Sequence, residues 1–236
     1  PGGGIFVAGG SGGSVTLDSS PFLSNTSSST GGGIYLSSAA TDVSLSDSTF
    51  VNNYAGGPGG GLYMSSASTL TLTNSPFVSN TASHGGGIFL NSLNGSLSLS
   101  NSRFESNHAS YNGGAINISS GTGGLMSLIN SVVQENHADI DGGALWINAT
   151  MAITGGQFIS NSAGGAGGGV YISADGLITN TTFLANHAQL SGGALYVYGN
   201  NSAPVQIVNS LFARNAADSG QGDAIYLLNP SSSGAS

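Results

Sequence analysis

A glycine doublet followed by an aliphatic residue recurs along the whole chain, and any fold has to accommodate that period before anything else. The aliphatic position is held by Ile5, Ile34, Leu62, Ile88, Ile116, Leu145, Val170, Leu195 and, in a degenerate copy, Ile225. The 220 residues between the first and the last divide into eight intervals of about 27.5. A second signature, Phe-x-x-Asn, runs in phase at Phe22/Asn25, Phe50/Asn53, Phe77/Asn80, Phe104/Asn107, Phe158/Asn161, Phe183/Asn186 and Phe212/Asn215. The remaining repeat keeps Asn136 but has Val133 in place of the phenylalanine.

Residues after the glycines alternate with period two, as in Ile34-Tyr35-Leu36 and Leu145-Trp146-Ile147, which is the pattern of a half-buried strand. A second alternating segment follows, as in Leu70-Thr71-Leu72, with aliphatics on one side and hydroxyls on the other. Asn or Asp then stands three residues before the phenylalanine position, at Asp47, Asn74, Asn101, Asn130, Asn180 and Asn209. No stretch offers the 3.6-residue period of a helix, so equivalent strands must stack in parallel, about 4.8 Å apart. The expectation is an all-β chain, one parallel β-helix over residues 1–236, with about eight coils of 25–30 residues and two or three faces per coil. Glycines should supply a left-handed corner, and stacked asparagines should tie coils together at the others.

Both motifs, with Gly-Gly-Ala-aliphatic literal at Gly113-Gly114-Ala115-Ile116, Gly142-Gly143-Ala144-Leu145 and Gly192-Gly193-Ala194-Leu195, resemble the repeats of chlamydial polymorphic outer membrane proteins. The resemblance covers essentially the whole chain. It implies a right-handed parallel β-helix, secreted as an autotransporter passenger and used in adhesion, with no catalytic residues to carry over. The chain departs from many members of that family in having no cysteine.

Charge narrows the partners. Arg103 and Arg214 are the only cations beside ten acidic residues, which gives a net charge of −8. Nucleic acid and anionic membrane surfaces both require clustered Lys and Arg, so neither is expected. No run of about 18 apolar residues provides a membrane-spanning helix. The acids are scattered, whereas polysaccharide-cleaving β-helices need clustered carboxylates. Asp139 and Asp141 form the nearest pair and read as a solvated turn. His108, His137 and His187 share one repeat position, which brings the first two within about 5 Å across adjacent coils. Two imidazoles do not make a site, so no metal, cofactor or catalytic residue is expected.

The residue between the inward aliphatics should face outward. It is Phe6, Tyr35, Tyr63, Phe89, Asn117, Trp146, Tyr171, Tyr196 and Tyr226, so eight of nine coils place an aromatic on one outer stripe. Long exposed apolar stripes usually meet a partner, which makes the eight aromatics the expected contact surface. Asn-x-Ser/Thr sequons at Asn25, Asn94, Asn117, Asn148, Asn180 and Asn200 are candidate glycosylation sites.

Neither end of the sequence reads as a polar cap, so the expectation is a segment of a longer β-helix or a fibre subunit. The function expected is that of an extracellular or cell-surface structural protein, the shaft or repeating subunit of a filament, self-associating end to end or laterally. The alternative is an adhesin-type passenger that binds a host receptor or glycan. A polysaccharide-active enzyme ranks third.

Overall fold

The computed structural model describes residues 2–7, 13–37, 42–121, 123–199 and 204–228. All regular elements among them are β-strands. One coil shows the plan: Leu62–Met64, Ala67–Thr73, Phe77–Val78 and Thr81–Ala82 follow one another and turn back toward the start of the next coil at Ile88. Equivalent strands pair only with those one coil away, in parallel, building one nine-stranded and three eight-stranded sheets. The fold is a parallel β-helix.

Four sheets surround the core, where two or three faces were expected. The extra face arises at Phe-x-x-Asn, where the residue before the asparagine adopts a left-handed conformation, as at Ser79 with φ 55°. That residue breaks one long face into two short strands, the third and fourth of each coil. Two further left-handed positions complete each coil, for example Asn74 with φ 50° and Gly85 with φ 56°. An Asx residue suits the first because its short polar side chain tolerates this region. The second half of the glycine doublet serves a different purpose. A Cβ on Gly86 would collide with the carbonyl oxygens of Gly114 and His108, so the doublet combines one left-handed residue with one close approach between coils.

Register is strict. Phe50, Phe77 and Phe104 are direct partners in the third sheet. Their rings stack with centroids 4.3 and 5.2 Å apart, and Phe77 is fully buried. Beside that column the corner asparagines form a buried ladder. Asn107 Oδ1 accepts from both the backbone N–H and the Nδ2 of Asn80, at 3.0 and 2.9 Å. Its own Nδ2 donates to Phe77 O at 2.9 Å and to Asn136 Oδ1 at 2.9 Å. The pattern repeats from Asn25 to Asn215. A second ladder escaped the sequence reading: Ser48, Ser75, Ser102 and Ser131 lie buried after the Asx corner, each hydroxyl accepting the backbone N–H of the serine one coil before it. Each also donates to its own chain two residues back, as Ser75 Oγ does to Thr73 O at 3.0 Å.

Three substitutions test this layout. Phe77→Ala should cost about 3–5 kcal/mol by opening a cavity in the interior column, while Tyr63→Ala, on the half-buried outer side, should cost less than half as much. Urea unfolding of both variants measures the difference, and equal losses would mean that inside and outside are reversed. Asn107→Ala leaves the Asn80 backbone N–H without its acceptor and removes the side-chain donor from the Phe77 carbonyl in a dry interior, so a loss of at least about 3 kcal/mol is expected in the same assay. A loss under 1 kcal/mol would show the ladder to be dispensable.

Candidate functional site

The first sheet sets the outer stripe. Phe6, Tyr35, Tyr63 and Phe89 are successive register partners, followed by Asn117 and then Trp146, Tyr171, Tyr196 and Tyr226. Flanking residues such as Ile34 and Leu36 are buried, so the alternation does turn these side chains outward. Neighbouring rings stack with centroids 4.9 to 5.8 Å apart, giving two runs of four.

The stripe is less exposed than the alternation implied. Phe6 is 49% exposed, but Tyr35, Tyr63, Trp146, Tyr171, Tyr196 and Tyr226 are only partly so, and Phe89 is buried at 7%. The correction has a simple cause: at the strand spacing each ring lies against the next, so the stack hides its own faces and presents edges and phenol hydroxyls. Burial raises the pKa values of Tyr63, Tyr171 and Tyr196, with Tyr35 adding to the effect at Tyr63 and Asp141 at the other two. These phenols are therefore neutral at physiological pH and act as hydrogen-bonding groups.

The break at Asn117 is the distinctive place on this face. Phe89 and Trp146 are separated there by one coil whose side chain is too short to fill the column. A recess of about 260 Å³ results, bounded by Pro58, His84, Phe89, Asn112, Asn117 and Trp146. Asn117 is 2% exposed. Its Nδ2 donates to the carbonyl of Asn112 at 3.1 Å, while its Oδ1 has no hydrogen-bond partner. Burial lowers the pKa of His84, so this imidazole is neutral at pH 7. It lies edge-on to Phe89 and stacks on the exposed Tyr111 at 4.8 Å. The recess thus combines apolar ring surfaces with neutral donors and acceptors, the usual composition of a small-ligand site. Asn117 was visible in the sequence as the one non-aromatic member of its column, but only as a sequon.

The sequons divide by position. Asn94, Asn148 and Asn180 are exposed. Asn117 is buried, and the Asn25 amide donates to Asn53 Oδ1 within the interior ladder, so neither nitrogen is free in the folded chain. Asn200 lies outside the described residues.

The carboxylates separate as well. Asp141 accepts the backbone N–H of Ala166 at 2.7 Å, and burial raises its pKa against that bond. Asp139 instead turns to the fourth sheet, where its Oδ1 lies 3.0 Å from His108 Nε2 and 3.1 Å from His137 Nε2. Hydrogen bonding to His108 is the main cause of its lowered pKa. Arg103 pairs with Glu105 on the surface. A second recess, of about 340 Å³, opens against Met151, Leu177 and Pro204 and contains a single carboxylate, Asp175.

A family model described as a right-handed β-helix region matches residues 1–158. The chain belongs to the right-handed β-helix family. The match is to this broad family and not to the narrower chlamydial repeat class that the motifs resemble. No curated protein and no solved structure matches the chain. A right-handed β-helix with in-register coils offers long columns of identical chemistry on each face, so a break in a column is the feature that gives one level of the β-helix an individual character.

Asn117→Tyr should complete the aromatic ladder. It removes an unpaired buried oxygen, worth about 1–3 kcal/mol, and adds ring stacking on both sides. The melting temperature should rise by about 2–4 °C per kcal/mol gained, as read by circular dichroism. A lower melting temperature would mean that the recess cannot admit a ring.

Proposed function

We propose that this β-helix is an extracellular, non-enzymatic binding scaffold that holds carbohydrate along its first sheet, with the recess at Asn117 as the anchoring subsite. The observation that carries this reading is the interrupted ladder: two aromatic residues in one column, one empty level between them, and a buried amide oxygen without a partner at that level. Two coil spacings amount to about 9.6 Å, which leaves room for one ring at the stacking distance used elsewhere in the column. A pyranose has apolar C–H faces to lie against Phe89 and Trp146, and rim hydroxyls that reach Asn117, Asn112 and His84. A hydroxyl donating to Asn117 Oδ1 would satisfy the orphaned acceptor.

The scarcity of cations argues for a neutral ligand over a polyanion. Binding without cleavage is favoured by the recess lining, which has no carboxylate, and by the lone Asp175 of the second recess, since glycoside hydrolysis ordinarily takes a pair. The extracellular assignment draws on the resemblance to surface-protein repeats and on the exposed sequons Asn94, Asn148 and Asn180. A filament shaft would use the same stripe for lateral contacts, but a recess at a one-coil break in the stripe suits a ligand better than a continuous packing face.

A panel of neutral oligosaccharides tests the proposal, with the folded chain as analyte and sedimentation velocity run alongside. Binding is expected for the parent chain, with at least a tenfold loss in Trp146→Ala and in Asn117→Tyr while both retain the β-sheet spectrum. Failure of every glycan, or equal binding by Asn117→Tyr, would remove the recess from consideration. Concentration-dependent association that Trp146→Ala abolishes would favour the filament reading instead.

A further inference from the structure

We propose that His108, His137 and Asp139 form a binding site for a divalent transition-metal ion of the zinc class. The two histidines are direct register partners in the fourth sheet, with rings parallel to within 4° and centroids 5.5 Å apart. Asp139, two residues after His137, folds back so that one carboxylate oxygen sits 3.0 and 3.1 Å from the two Nε2 atoms. The three donor atoms all lie within 4.8 Å of one another. Ligands around a tetrahedral zinc ion, with bonds of about 2.0–2.1 Å, are about 3.3 Å apart, so the two oxygen–nitrogen distances need to lengthen by only a few tenths of an ångström, while the two imidazole nitrogens, within 4.8 Å of each other, turn inward to close on the ion.

The surroundings supply what such a site requires. Coordination through Nε2 places the imidazole proton on Nδ1, and His137 Nδ1 lies 2.8 Å from the Ser162 hydroxyl, which is positioned to accept it. A hydrogen bond on the second ring nitrogen fixes the tautomer and the ring orientation of a metal-binding histidine. The side chains are 38%, 45% and 49% exposed, so an ion reaches them from solvent and keeps open positions for water or for a donor from another molecule. Two imidazoles and one carboxylate suit zinc, cobalt, nickel or copper, and they are a poor match for calcium, which takes six to eight oxygens.

The repeat contains its own control. His187 and Asp218 reproduce one half of the arrangement, with Nε2 and Oδ1 2.8 Å apart. The register partner of His187 in the Asp218 coil is Ala216, so no second imidazole is present there. The chain should therefore bind one ion at the upstream pair and none at His187.

Isothermal titration of the metal-stripped chain with Zn²⁺ is expected to show one ion per chain. Co²⁺ should give the visible absorption bands of a low-coordinate nitrogen and oxygen site. His137→Ala and Asp139→Asn should each weaken binding more than tenfold, and Ser162→Ala by about tenfold through loss of the supporting hydrogen bond. His187→Ala should change nothing. All four positions are on the outer surface, and circular dichroism confirms that each variant is folded. The proposal is overturned if no ion binds, or if His137→Ala and His187→Ala have equal effects, which would indicate dispersed surface binding.

Discussion

Every coil is locked to the next by the asparagine ladder, and the remaining architecture depends on that constraint. Each amide oxygen takes two donors from one neighbouring coil, and each amide nitrogen donates in both directions along the axis. In a dry interior such a network tolerates no slippage, because a shift of one residue would orphan every member at once. The serine ladder applies the same logic at the adjacent corner with hydroxyls. Hydrophobic burial supplies the driving force for stacking, whereas these two ladders choose the register.

Strict register on the inside produces columns on the outside. The phenylalanine stack, the tyrosine stripe and the His108–His137 pair all follow from the same superposition of coils. A column of like residues has little individual character, since each level copies the one below. Chemistry concentrates where a level departs from its neighbours. Asn117 interrupts the aromatic run, and Asp139 adds a carboxylate beside two imidazoles. Both departures lie on the middle coils, where neighbours on each side keep the backbone rigid, so binding there orders little that is not already ordered.

Left-handed residues mark where backbone freedom was given up for shape. Asx and glycine fill two of the three corners at little cost, but the position before the ladder asparagine is held by Glu135, Ala185 and Arg214 as well as by serines. An ordinary side chain in that region costs about 1–2 kcal/mol. It persists because the next residue is pinned by the ladder. The same corner splits one face into two, which is why the cross-section has four sheets.

The sequence alone determined the period, the parallel stacking, the inward phenylalanines and the outward aromatics, because all of these follow from spacing and from alternation with period two. It also carried the identity of the ladder asparagines. Tertiary structure decided how much of each outward ring is covered, since only the axial spacing sets how closely Phe89 lies to Tyr63. It decided that Asn117 is a buried amide at the base of a recess and not an exposed sequon. It also directed Asp139 toward two histidines and Asp141 toward a backbone amide. Residues two apart in the chain parted there because the corner between them turns one side chain to the fourth sheet and the other to the glycine turn, a direction that no linear pattern encodes.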